Sequence, residues 1–216
     1  MLPTRATKEG KELMNRFKRL ALVAAGVATC LAMAVPASAQ GAIAGAGAVQ
    51  GNVNLNPGFA TGCLPLCNQA WTFAGSATGA FVGAGTPSSA LAGAAEGTFT
   101  AAASGSSIAE NAAGGAGNLT ASGSGGLTCI GACWDSSGNH CIGICNLSMS
   151  ITCTAGVYVR VGVYVYIILQ CTVTINGYSY TVVIYVGGLF IPNQTPPSTL
   201  TSATFAGAFK AAGALP

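Results

Sequence analysis

Residues 157–191 read VYVRVGVYVYIILQCTVTINGYSYTVVIYVGGLFI, the longest β-rich run in the chain. Asn176-Gly177 lies between two halves rich in Val, Ile, Tyr and Thr. That dipeptide calls for a type I′ hairpin turn, whose two central residues both take positive φ. The register it sets pairs Ile175 with Tyr178 and Val173 with Tyr180, and so on outward. One face then holds Val157, Val159, Val161, Val163, Val165, Ile167, Leu169, Cys171, Val173 and Ile175, opposite Tyr178, Tyr180, Val182, Ile184, Val186 and Phe190. Every member is apolar or aromatic, so this is the expected core face. At about 1.5–3 kcal/mol per buried side chain, the hairpin is expected to organise the fold.

The other face of the same register carries Tyr158, Arg160, Tyr164, Tyr166, Ile168, Gln170, Thr172 and Thr174, across from Ser179, Thr181, Val183, Tyr185 and Leu189. Near the turn it is polar, as a solvated face should be. Farther out it becomes a Tyr/Ile/Leu patch. Tyr158, Tyr164, Tyr166 and Tyr185 are therefore the candidate ligand-binding residues, a stacking platform that another strand would otherwise cover. Trp71 and Trp134 are alternative stacking surfaces.

Eight cysteines follow residue 40, at 63, 67, 129, 133, 141, 145, 153 and 171. Six of them form three C-x3-C units. The units at 129–133 and 141–145 flank Asp135-Ser-Ser-Gly-Asn139, a cluster of turn formers. A hairpin centred on Ser137 sets Cys129 opposite Cys145 and Cys133 opposite Cys141, all on one strand face. Cross-strand bonds Cys129–Cys145 and Cys133–Cys141 are the first expectation, and bonding within each C-x3-C unit is the rival. Cys153–Cys171 and Cys63–Cys67 complete the set. Zinc is the other use of such spacing, with His140 adjacent, but export favours oxidation, so no metal is expected.

Export is read from residues 1–39. Six of the eight basic residues lie in 1–19, an apolar stretch runs from Leu20 to Val35, and Ala37-Ser-Ala39 follows Pro36. This is the order of a secretory signal peptide, with cleavage expected before Gln40. Residues 40–216 keep two bases, Arg160 and Lys210, against Glu96, Glu110 and Asp135, a net charge of −1. The apparent basicity of the whole chain belongs to the leader. With 6% charged residues overall, the composition excludes a nucleic-acid binder, a coiled coil and a charged disordered chain.

The remaining sequence reads as all-β, a disulfide-stapled antiparallel β-sandwich or small β-barrel. Residues 40–68 are expected to be a flexible Gly/Ala/Asn-rich arm with its C-x3-C loop. Residues 69–216 are expected to form a single β domain around the 157–191 hairpin. Short strands separated by Gly and Ser fill 70–128, and Ser107-Ile-Ala-Glu110 matches a capping box for a short helix. Pro192, Pro196 and Pro197 mark an extended connection before a last strand at 200–209.

The chemistry inventory is thin. General acid–base or nucleophilic catalysis needs two cooperating groups in reach. His140, Asp135 and Ser136 share one solvated turn, and neither a nucleophile elbow nor a phosphate loop nor a dinucleotide fingerprint occurs. The expectation is a secreted, non-enzymatic structural or cell-surface-associated protein without cofactors. The alternative is an extracellular module that binds a glycan or small apolar ligand through the Tyr face. Candidate partners are a cell-wall polymer or a second copy of the chain, with no nucleic acid. Integral membrane insertion is not expected after processing, because a pore barrel would need a polar lumen face.

Overall fold

A computed structural model describes residues 41–59, 66–84, 90–194 and 199–215. Residues 1–40, where the signal peptide and its cleavage are expected, Cys63, and Pro196 and Pro197 of the expected connection lie outside the described residues. Eight strands follow one another: β1 (Ala42–Phe59), β2 (Cys67–Ala84), β3 (Leu91–Glu110), β4 (Gly114–Trp134), β5 (His140–Val161), β6 (Tyr164–Ile175), β7 (Tyr178–Pro192) and β8 (Leu200–Ala214). Each pairs antiparallel with the next, and β8 returns to β1, which closes the ring into an up-and-down barrel. The sandwich alternative thus gives way to a single closed sheet. Closure is what removes the exposed edges that so uncharged a chain could not otherwise protect.

The segment expected to be a loose arm is instead a full stave. β1 pairs with β2 from Ala42 to Asn56 and with β8 along the other edge. Its alternation is hard to see because the inward set mixes Ile43, Val49, Val53 and Leu55 with Gly45, Gly47 and Gly51. Directly opposed aromatic side chains on the two neighbouring strands cover two of them: a Cβ on Gly45 would meet the Phe81 ring of β2, and one on Gly47 the Phe209 ring of β8. The capping-box segment is not helical either, since Ser107–Glu110 is the end of β3.

With an even number of strands, the start of β1 and the end of β8 share one rim with the Asp135–Asn139 and Asn176-Gly177 turns. We call this the Asn176 rim. The β6–β7 register is the one expected, from Ile175 opposite Tyr178 out to Tyr164 opposite Leu189. Asn176 and Gly177 have φ of 51° and 92°, as a type I′ turn requires. The neighbouring turns brace each other: Asn176 Nδ2 donates to Trp134 O at 3.1 Å and Tyr178 OH to Asp135 O at 3.0 Å.

The expected β4–β5 register also forms, with Cys129 opposite Cys145 and Cys133 opposite Cys141. The bonds do not follow it. Cys129 is bonded to Cys133 and Cys141 to Cys145. Four extended residues span about 13 Å, yet the bonded Cα atoms are 7.1 and 6.2 Å apart. The strands arch between them, and the glycine at the centre of each unit permits it. Gly93, Gly131 and Gly143 stand in one cross-strand row with φ of 135°, 145° and 108°, values that side chains rarely adopt. The arch throws Ile130, Ile142 and Ile144 outward into solvent. Cys153–Cys171 joins β5 to β6 inside the barrel as expected. Cys67 is disulfide-bonded, and its expected partner Cys63 lies outside the described residues.

Candidate functional site

The opposite rim carries the Asn111–Ala113 and Gly162-Val163 turns, and two β-bulges decide what it displays. Along β5 the pairing with β6 runs from Met149–Ile175 to Cys153–Cys171, then slips by one so that Ala155 faces Gln170. The pairing with β4 slips at the same place. One extra residue near Thr154 therefore exchanges odd and even positions beyond it. A second slip, within 105–108 of β3, does the same for that strand against both neighbours. Beyond these points Ile108, Glu110, Gly156, Tyr158 and Arg160 turn inward.

This corrects the face assignment at the start of the 157–191 run. That run is not one strand: Gly162, at φ 59°, turns the chain back so that Val161 faces Tyr164. Val157, Val159, Val161 and Val163 are exposed rather than core. Tyr158, placed on the outer face by alternation, is wholly buried, and Arg160 beside it is buried too.

Inside this rim Arg160 and Glu110 form a buried ion pair between Nε and Oε1. Tyr158 OH donates to the same Oε1 at 2.8 Å. Arg160 also donates to the carbonyls of Gly162 at 2.6 Å and of Asn111, and its guanidinium lies 4.9 Å from the centre of the Phe190 ring. The group thus ties the end of β3 to the β5–β6 turn. Burial, then the Glu110 charge, pushes the Tyr158 phenol well above its ordinary pKa, so it stays protonated. Buried Gln69 holds Gly58 through both its amide atoms, at 2.8 and 3.1 Å. Glu110 Oε2 and Trp71 Nε1 find no hydrogen-bond partner among the described residues. Chemically the cluster is a clamp: its carboxylate is held by the Arg160 guanidinium and by the Tyr158 phenol.

Asp135 serves its own turn at the other rim. Its carboxylate accepts from Asn139 Nδ2, Ser137 N and Asn139 N at 2.9, 2.9 and 3.0 Å, and the Asn139 amide leads in lowering its pKa. Among the described residues no group of three or more His, Cys, Asp or Glu is placed to hold a metal.

Outside the barrel the structure brings three of the four candidate tyrosines together. Tyr164, Tyr166 and Tyr185 are 56%, 58% and 55% exposed across β6 and β7. Cross-strand rows run inward from the Gly162 rim in a clear order. Val161–Tyr164–Leu189 comes first, then Val159–Tyr166–Gly187 and Val157–Ile168–Tyr185. Ala155–Gln170–Val183 follows, and beyond it only hydroxyls: Thr152–Thr172–Thr181 and Ser150–Thr174–Ser179. The last row continues through Ser124 and Thr100 to Ser76. Side-chain hydrogen bonds lock parts of this hydroxyl belt, as between Thr174 and Ser179 at 3.0 Å and Thr78 and Thr98 at 3.2 Å.

The lumen is lined differently from side to side. Trp71, Phe73 and Phe81 on β2, Phe99 on β3, and Phe205 and Phe209 on β8 supply aromatic bulk. Branched aliphatic side chains come from β5, β6 and β7. Searches against protein-family models, curated proteins and solved structures return no match for this chain.

Proposed function

We propose that this chain is an exported, non-catalytic barrel that attaches to a cell surface by docking its Gly162 rim on a lipid layer. One observation carries the reading: over the rows that β5, β6 and β7 share, the outer wall changes from a mixture of tyrosine and aliphatic side chains at the Gly162 rim to hydroxyls farther along the barrel axis. A band of tyrosine mixed with aliphatic side chains suits the headgroup level of a lipid layer, where tyrosine is favoured, and the hydroxyl rows suit the water beyond it. Exposed apolar patches beyond a few hundred Å² mark interaction sites on otherwise soluble proteins. Arg160, the one charged residue of the 157–191 run, is turned inward, so docking desolvates no charge there. Covering ~400 Å² of the patch at ~25 cal/mol per Å² supplies on the order of 10 kcal/mol before immobilisation costs.

A glycan platform fits the patch less well, because its first three rows offer sugar hydroxyls only the tyrosine OH groups. A side-by-side dimer would leave the apolar Val161-Gly162-Val163 tip in water. Flotation with phosphatidylcholine vesicles tests the reading. The parent should rise with the vesicles, and a folded Tyr164→Ser/Tyr166→Ser/Tyr185→Ser variant should lose most of that binding. A parent that stays in the bottom fraction overturns it. Retention on wall polysaccharide would then favour a glycan role, and a sedimenting dimer that the variant dissociates would favour self-association.

A further inference from the structure

The lumen holds an apolar cavity of about 100 Å³. It lies where bulky side chains from β1, β2 and β5–β8 face a stretch of small residues on β3 and β4. Between Phe99 of β3 and Leu119 of β4, which also line the cavity, the inward positions on that wall are only Ala101, Ala103, Ala121 and Gly123. The Glu110–Arg160 clamp sits beyond it toward the Gly162 rim, and Leu127 and Cys129 toward the other. The side chains that the register turns into the cavity are apolar apart from the Trp71 indole, whose buried Nε1 presents no surface to it.

We propose that this cavity is a binding site for one small, uncharged apolar molecule, from xenon up to about benzene in size. An eight-stranded barrel has an interior just wide enough either to be filled by side chains or to hold one small ligand. A cavity of about 150 Å³ lined by Leu, Ile and Phe stays dry and takes up benzene or xenon, and the present one is chemically alike and somewhat smaller. With no polar lining, water gains no hydrogen bonds inside, so an apolar guest displaces nothing and gains dispersion contacts along its whole surface. The same lining rejects isosteres that carry a hydrogen-bonding atom, because that atom would be buried without a partner. The site is independent of the lipid-docking reading: it uses the inner wall, and docking uses the outer one.

The test is thermal unfolding of the full processed chain, disulfides intact, with benzene or with pyridine as its polar isostere. Near-saturating benzene should raise the midpoint by about 2–4 °C through mass action, and pyridine should not. Xenon should shift the methyl NMR signals of Ile151, Ile167 and Ile184, which line the cavity. Ala101→Leu and Ala121→Leu, each of which fills the void from a different strand, should keep the fold and lose the benzene effect. The tyrosine triple variant should retain it. No benzene or xenon response in the parent overturns the proposal. So does an undiminished response in both filled variants, or a response lost only in the tyrosine variant, which would place the guest on the outer face.

Discussion

The two ends of the β5–β7 wall obey opposite rules. Near the Asn176 rim alternation reads straight: Val173, Ile175, Tyr180 and Val182 point in, and Thr172, Thr174, Ser179 and Thr181 point out. Near the Gly162 rim the odd-numbered valines of β5 point out and its even-numbered Tyr158 and Arg160 point in. The same amino-acid types, in one continuous pattern, give contrary outcomes about ten residues apart. Parity is therefore a property of a stretch between bulges and not of a strand. The two slips cooperate as well. One on β3 turns Glu110 inward and one on β5 turns Arg160 inward, so that each buries the partner the other requires.

Breaking that partnership should produce the largest effect in the molecule. Arg160→Met leaves Glu110 buried without its counter-charge, and removing one partner of a buried pair costs about 3–5 kcal/mol. The double variant Glu110→Leu/Arg160→Met removes both charges and should recover much of the loss, since paired burial and apolar replacement are often close in energy. Denaturant titration of the three chains measures this. If Arg160→Met unfolds at the parental midpoint, the inward parity of the Gly162 rim is wrong.

The straight-reading end can be broken separately. Gly177→Val sets a β-branched residue at φ 92°, and the new Cβ would lie 2.5 Å from Ser136 Oγ. A loss of about 2 kcal/mol is expected from the backbone conformation and the crowding together. A parental melting curve for this variant would undo the hairpin register, and with it every row assigned to the outer wall.

How far the sequence could be read follows the same division. Asn176-Gly177 and the Asp135–Asn139 cluster carry turn chemistry in their side chains, so both registers were legible, and Cys153–Cys171 with them. The bulges were not. One extra residue at Ser106-Ser107 or Thr154-Ala155 leaves no periodic trace, and Val-Gly162-Val continues a valine alternation without interruption. The C-x3-C pairing was ambiguous because residues opposed across a hairpin are also disulfide neighbours. The glycine centred in the 129–133 and 141–145 units was the available sign of an arch. Charge scarcity was the sign for the clamp. Where residues 40–216 offer two bases and three acids, an arginine set among valines needs a carboxylate, and Glu110 was one of three choices.

The smallest effect separates the four tyrosines that alternation placed together. Phe replacement of Tyr164, Tyr166 or Tyr185, all more than half exposed, should move stability by no more than about 0.5 kcal/mol each. Tyr158→Phe should cost about 1.5 kcal/mol, because it removes a hydrogen bond to a charged carboxylate that keeps Arg160 as its other partner. Alkali gives the second readout. Burial raises the Tyr158 phenol above its unfolded value of about 10, and burial raises that of Tyr180 as well. Above pH ~10 the folded chain therefore binds more protons than the unfolded one. The stability these phenols contribute is complete below that pH and is lost as pH rises past it. Each such phenol adds a fall of about 1.4 kcal/mol per pH unit in this window. The Tyr158→Phe chain should start lower at pH 8 and then fall less steeply than the parent between pH 10 and 11.5. Parallel curves would mean that Tyr158 ionises as freely folded as unfolded, and that it belongs outside with the other three.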